Sequence, residues 1–176
     1  MKQNSLILPI VGGGVAFLCF FFPWIAFDMS SLDLDLVISQ LEGSITIAGF
    51  RMAISGGNLF TSIAFLATLT ILGVCIYMLN QKTPWKARSP VLISSGIGLL
   101  FMVFTLIQFF PGANPDLRMV SDMLKSTDFK IDMSKLISPQ FGGFGVAIGF
   151  IVALIGAWNI PKSDTSMKNN EQEVTA

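Results

Sequence analysis

The chain has 176 residues, of which 52% are hydrophobic and 12% charged, and its formal net charge is zero. Soluble domains carry about twice that share of charged residues. A protein of this size cannot bury long, wholly apolar helices and still present a polar surface to water. The composition therefore excludes an ordinary soluble domain and favours a protein embedded in a membrane.

Four uncharged runs of 20 to 23 residues account for the shortage of charge, at residues 5–27, 59–79, 91–110 and 141–160. About 20 apolar residues in a helix cross the hydrocarbon layer. The first run is too long for a cleaved secretion signal, and no small-x-small cleavage site follows it. The sequence therefore predicts an all-α membrane protein, a bundle of four transmembrane helices forming one domain over residues 1–160.

The two longer loops, 28–58 and 111–140, contain segments in which apolar and polar residues alternate. In "SSLDLDLVIS" leucine alternates with aspartate, "SITIAGFRM" continues the pattern after a turn, and "DFKIDMSK" repeats it before the fourth run. A period of two residues is typical of a strand with one solvated face. We predict a small three-stranded sheet outside the membrane, formed by both loops; the alternative is irregular chain lying on the lipid headgroups.

Basic residues predict the orientation of the chain. The short loop 80–90 carries Lys82, Lys86 and Arg88 and no acid, while Lys2 precedes the first run and Lys162 follows the last. Short cytoplasmic loops are enriched in lysine and arginine. We therefore expect this loop and both termini to be cytoplasmic in a multi-pass plasma (inner) membrane protein. The polar tail, 161–176, is too poor in apolar residues to fold alone and is predicted to be disordered.

Small residues recur every four positions in the fourth run, at Gly145, Gly149, Ala153 and Ala157, and the first run offers Gly12 and Ala16 for a similar contact. Such a stripe lets another backbone approach closely, and van der Waals contact then holds the two helices together. Packing within one bundle is the favoured interpretation. Docking of a partner's helix is the alternative.

Aromatic residues near predicted helix ends are candidate interfacial anchors, because amphipathic rings prefer the headgroup region. Trp24, Tyr77 and Trp158 occupy such positions. Cys19 and Cys75 fall inside apolar runs at different expected depths. A disulfide requires Cα atoms within about 7 Å, so we expect none between them.

A short phrase occurs twice. "ISGGNLF" precedes the second run and "ISPQFGG" the fourth, while "FFPW" and "FFPG" end the first and third. Proline stops a helix, and serine is a common helix cap. Ser55, and Ser138 with Pro139, are therefore predicted to open the helices that follow them. An ancient duplication of a two-helix unit and independent convergence both explain the repetition.

Chemistry-bearing residues are few. The chain contains no histidine, which removes the usual general base and the commonest metal ligand. Neither a nucleophile-elbow serine nor a phosphate-binding glycine loop occurs. Asp33 and Asp35 could bind a cation weakly, but such residues are more often the solvated side of a strand. We predict no enzymatic activity, cofactor or metal.

The order of segments resembles that of the claudin and peripheral-myelin-protein group of tetraspan proteins: four runs, cytoplasmic termini and a strand-rich first outer loop. The group's aromatic motif and paired loop cysteines are missing; Trp24 stands at the helix end and "IAGF" stands where the motif would be. The resemblance therefore implies the four-span layout alone, and no functional residue is transferred.

These features favour a scaffold or accessory subunit that recognises another protein through the outer sheet and the small-residue stripe. The expected partners are membrane lipid and another membrane or extracytoplasmic protein, or a second copy of this chain, with no nucleic acid. The alternatives are an oligomeric pore lined by hydroxyls and Gln108, and an immunity-type protein that binds an invading toxin. No charged residue lies within the runs, which disfavours proton-coupled transport.

Overall fold

A computed structural model describes residues 4–28, 44–55, 58–109 and 137–162. A short 3-10 turn, Asn4–Leu6, leads into the first helix, and another, Pro84–Ala87, leads into the fourth. The helices and strands, numbered here in chain order, are α1 Ile7–Cys19, β1 Pro23–Asp28, β2 Ser44–Ala48, α2 Gly49–Ile54, α3 Leu59–Asn80, α4 Arg88–Phe109, β3 Ile137–Pro139 and α5 Phe141–Trp158.

Three helices in the described part of the chain are long and apolar enough to cross a bilayer: Leu59–Asn80, Pro84–Gln108 and Phe141–Trp158, with mean hydropathies of 2.3, 2.2 and 2.0. They correspond to the second, third and fourth apolar runs, so the predicted helical, membrane-compatible character is confirmed for these segments. A fourth apolar helix, Ile7–Cys19, is shorter.

The four apolar helices form a ring of neighbours. α1 contacts α5 and α3, and α4 contacts the same two helices from the opposite side. Large side chains fill the centre, among them Phe20, Ile71, Met102, Val146 and Phe150, all fully buried. The side chains that point away from the ring are also mostly large and apolar, an arrangement suited to lipid and unsuited to water.

The first apolar run does not form one helix. α1 ends at Cys19, and the residues from Pro23 onward form β1. Pro23 has no backbone N–H to donate to Cys19, so the helical ladder cannot continue there. The Cys19 carbonyl instead accepts from the Trp24 indole Nε1 at 3.0 Å. Hydropathy alone cannot tell an apolar strand from an apolar helix, which is why the run suggested a helix to Phe27.

A three-stranded sheet is present, with strand order β2-β1-β3 and both pairings antiparallel. Ala26 in the central strand pairs with Thr46 on one side and Ser138 on the other. β2 falls within the second predicted strand, but β1 comes from the end of the first apolar run and β3 directly precedes α5. The other predicted strands, Asp33, Asp35 and most of the tail lie outside the described residues.

Asn58, not Ser55, caps α3. The Asn58 side-chain oxygen accepts from the backbone N–H of Phe60 at 3.1 Å and of Thr61 at 3.2 Å. Ser55 instead follows α2 and donates to the Arg51 carbonyl. Ser138 lies in β3, and α5 begins after Gln140 without a side-chain cap. The two predicted serine caps are therefore wrong, because the repeated "IS" follows a helix in one place and lies in a strand in the other.

Asn58 also joins two helices, since its amide nitrogen donates to Oε1 of Gln108 on α4 at 3.2 Å. Replacing Asn58 with alanine removes the cap and this interhelical bond, and should lower the free energy of unfolding by about 1–2 kcal/mol. Denaturation in mixed detergent micelles measures the change. Asn80→Ala, at the exposed far end of the same helix, is the control and should have little effect; equal losses would contradict the capping role.

Candidate functional site

The stripe of small residues on α5 lies against α1. A Cβ atom added to Gly149 would lie 2.6 Å from the backbone nitrogen of Ala16 and 2.7 Å from the carbonyl oxygen of Gly12. A Cβ atom added to Gly12 would meet the backbone of Gly149 and Ala153. We call Gly12, Ala16, Gly145, Gly149 and Ala153 the small-residue seam. Its two backbones touch directly, as such stripes permit.

The contact continues to both ends of α1. A Cβ atom on Gly145 would meet the Cys19 side chain, and one on Gly156 would lie 2.7 Å from the nitrogen of Pro9. Ala157 is fully buried. The six residues singled out in the sequence are therefore engaged within the monomer, which corresponds to packing inside one bundle rather than to an open groove for a partner's helix.

Two further small-to-large contacts were not recognised in the sequence, at Gly156 against Pro9 and at Gly98 against the Phe150 ring. Glycine inside an apolar helix weakens the helix, so its presence there often indicates that a neighbouring group packs closely against it. That signal was present at both positions. The partner residue could not be inferred, because it depends on how the helices are arranged around the ring.

Trp24 is not an interfacial anchor in this fold. Its side chain is 2% exposed. The Phe20 ring lies 4.9 Å away, centroid to centroid, and Cβ atoms on Gly49 or Gly142 would collide with the indole. A ring enclosed by protein cannot reach the headgroups. Tyr77 and Trp158 are both exposed near helix ends, and their anchoring role stays a prediction.

Several hydroxyl groups in the long helices donate to the backbone of their own helix. Thr68, Thr70, Ser95 and Thr105 each donate to the carbonyl four residues earlier, at 2.6 to 3.1 Å. Thr61, Thr68, Ser95 and Thr105 are fully buried. The Thr61 hydroxyl is the one buried side-chain oxygen in the described residues without a hydrogen-bond partner. The four buried hydroxyls point into the bundle of a single copy, as packing groups do, whereas Thr70 is exposed.

The sheet is fastened to one end of the bundle by backbone hydrogen bonds. The N–H of Phe50, in α2, donates to the Phe20 carbonyl at 2.7 Å. The N–H of Gln140 donates to the Trp24 carbonyl at 2.8 Å, and its amide reaches the Ser138 hydroxyl at 3.1 Å. Among the described strands β2 and β3 are the edges, and Thr46 of β2 is exposed. The sheet is therefore held in a fixed position relative to the helices.

At the opposite end Arg88 joins α4 to the end of α5. Its Nη1 donates to the Ile160 carbonyl at 2.9 Å, and its guanidinium carbon lies 6.0 Å from the centre of the Trp158 ring. A cation at the carboxyl end of a helix satisfies terminal carbonyls and complements the helix dipole. Arg88, predicted as a marker of orientation, therefore also has a structural role.

Potential chemistry within the described residues is limited. Cys19 and Cys75 are both buried and unpaired. No group of three histidine, cysteine, aspartate or glutamate residues in these segments could hold a metal ion.

Comparison of the chain with protein-family models, with curated proteins and with solved structures finds no match.

Proposed function

We propose that the chain is an integral plasma-membrane protein with four crossings, in which the loop 80–90 and both termini are cytoplasmic and the sheet lies on the other side. Large apolar side chains are exposed on α1 as well as on the three longer helices, for example Leu18, Leu66, Ile93 and Ile148. In lipid these side chains have no need of cover by protein, whereas in water they would form a continuous exposed apolar belt.

Packing supports α1 as the fourth crossing despite its length. Its first turns meet the end of α5 through Pro9 and Gly156, and its last turn meets the start of α5 through Cys19 and Gly145. The two helices are therefore antiparallel. After Cys19 the apolar surface continues through the exposed Phe21 and Phe22, which extends the lipid-facing side beyond the helix itself.

Labelling in sealed vesicles tests this topology. Cysteines introduced as Lys86→Cys and Thr46→Cys should react with a membrane-impermeant maleimide from opposite sides, Thr46→Cys from the outside. The unsubstituted chain provides the background, since Cys19 and Cys75 are buried. Reaction of both positions from the same side would overturn the four-crossing arrangement.

In this setting the chain acts as a non-enzymatic scaffold or accessory subunit that recognises another protein. The observation that carries this proposal is the sheet, which is held to the bundle by backbone bonds from Phe50 and Gln140 and whose edges, among the described strands, are β2 and β3. Strand edges are templates for pairing with another chain. The small-residue seam gives less support as a docking surface, because its α1 residues and its α5 residues already pack against each other.

The oligomeric pore has weaker support. It would require the helix hydroxyls to face a lumen shared between copies, but Thr61, Thr68, Ser95 and Thr105 point into the single bundle. Each copy would have to repack its helices to expose these hydroxyls to a lumen. An immunity-type protein would be a special case of partner recognition, with a toxin as the partner.

A photo-crosslinking residue at Thr46, on the exposed edge strand, tests partner recognition directly. We expect one discrete adduct in native membranes, with a mass that corresponds to a second protein. The matched control is the same residue at Thr70, which is exposed on α3 and should crosslink only to lipid. Adducts of the chain with itself would indicate a homo-oligomer, and equal yields at Thr46 and Thr70 would contradict recognition by the sheet.

A further inference from the structure

A shallow groove of about 730 Å³ runs along the last two turns of α3 and the residues that follow. It is lined by Gly73, Ile76, Tyr77, Leu79, Asn80 and Lys82. A Cβ atom added to Gly73 would project into open space, with no atom within 4 Å. Ile76 and Tyr77 are 62% and 58% exposed. The groove is therefore open on the outer side of the helix, with an apolar part at Gly73, Ile76 and Leu79 and a polar part at Asn80 and Lys82.

Lys82 closes the groove in an unusual backbone conformation. Its φ is 55°, and it is the one residue other than glycine with positive φ in the described segments. The turn is held by the N–H of Lys82 donating to the Leu79 carbonyl and that of Thr83 donating to the Met78 carbonyl, both at 3.2 Å. Glycine usually occupies this position after a helix, because it has no side chain to clash. A lysine here has a conformational cost that glycine would avoid, and such outliers often accompany a functional role.

Among the described residues, the one charged side chain that lines the groove is basic, Lys82. No acidic residue occurs anywhere between residues 58 and 109, whereas Lys82, Lys86 and Arg88 fall within seven positions of one another. The Tyr77 hydroxyl accepts from Nε2 of Gln81 at 3.4 Å, which leaves its own proton for donation. The groove is thus mostly apolar along the helix and has hydrogen-bond donors and the cation of Lys82 where the helix ends.

We propose that this groove binds one anionic glycerophospholipid of the cytoplasmic leaflet, with an acyl chain along Gly73, Ile76 and Tyr77 and its phosphate at Lys82. From Gly73 towards the end of the helix, the groove presents the apolar Ile76 side chain, then the Tyr77 phenol, then the Lys82 cation. The lipid presents its acyl chain, ester and phosphate in the same order. The inference rests on the membrane orientation proposed above but not on recognition of a partner protein.

A purely structural role for Lys82 gives a different expectation. A cation after α3 would complement the carboxyl end of the helix dipole. Replacing Lys82 would then change the thermal stability of the protein without changing its preference among lipids. Lipid preference therefore separates the two roles.

Native mass spectrometry of the full chain in detergent, with equal amounts of phosphatidylglycerol and phosphatidylcholine of identical acyl chains, measures that preference. We expect Lys82→Gly to lower the ratio of bound anionic to bound zwitterionic lipid about five-fold, the effect of one basic residue at an anionic surface. Glycine suits the local backbone, so this variant should fold. Lys162→Gly removes an exposed charge elsewhere and should leave the ratio unchanged.

The apolar part of the groove has its own matched pair of variants. Gly73→Leu should reduce retention of both lipids because its side chain fills the groove, whereas Gly96→Leu should not; an added Cβ meets no atom within 4 Å at either position. Millimolar inorganic phosphate should not displace the bound lipid. Lipid ratios unchanged in Lys82→Gly, or equal losses at Gly73 and Gly96, would overturn the proposal. Failure of the membrane orientation would appear separately, in the vesicle labelling.

Discussion

Replacing Gly149 with leucine is expected to break the contact between α1 and α5 and so to destabilise the whole bundle. Even the Cβ atom of alanine would lie 2.6 Å from the Ala16 nitrogen and 2.8 Å from the Ala16 Cβ. These neighbours belong to the rigid part of a helix, so the clash is relieved only if the helices separate. Overpacking of this kind lowers the free energy of unfolding by about 1–3 kcal/mol, and we expect a value at the upper end.

Separation of the helices also removes the van der Waals contacts between them. Such contacts hold membrane helices together, because lipid supplies no hydrophobic force between helices. Unfolding in mixed detergent micelles and the yield of monodisperse protein measure the loss. Gly14→Leu is the matched control on α1, since a Cβ atom there meets nothing within 4 Å. The seam would lose its importance if Gly149→Leu were as stable as Gly14→Leu.

The small-residue seam shows how far periodicity can predict a fold. A repeat of four in Gly145, Gly149 and Ala153 indicated that some backbone approaches α5 closely. It could not identify that backbone, because a smooth helical face accepts any partner of suitable shape. Gly12 and Ala16 were candidates on the same grounds. Their pairing with α5 became evident only from the positions of both helices.

Hydropathy predicted the three long helices well because each one is apolar on all sides and bounded by polar or turn-forming residues. α3 begins at Leu59 and α5 at Phe141, the first residues of their apolar runs. The same signal was misleading after Cys19. There the chain stays apolar but becomes a strand. The proline that ends the helix, Pro23, lies five positions before Asp28, the polar residue that ends the run.

Trp24 illustrates information that a single sequence does not contain. Its position at a helix end suggested an interfacial anchor. Its actual environment is set by Gly49 and Gly142, which lie far along the chain and leave room for the indole because they have no side chains. Both glycines stand beside strand residues, so the ring fills the joint between the sheet and the helices. Tertiary contacts of this kind leave no local pattern.

Replacing Trp24 with alanine is therefore expected to have the second large effect. Truncating a large buried aromatic side chain lowers the free energy of unfolding by about 3–5 kcal/mol, and this change also removes the hydrogen bond from Nε1 to the Cys19 carbonyl. Denaturation in mixed micelles should show the loss, and proteases should cleave the backbone of β2 faster as the sheet detaches.

Trp158→Ala provides the comparison, because this ring is 69% exposed and contacts the Arg88 guanidinium. Its loss should lower the free energy of unfolding by less than about 1 kcal/mol. A tryptophan that acts only as an interfacial anchor would give the same small change at both positions. Equal effects of the two substitutions would therefore contradict the buried joint, whereas a large loss confined to Trp24 would show that the sheet and the bundle fold as one unit around its indole.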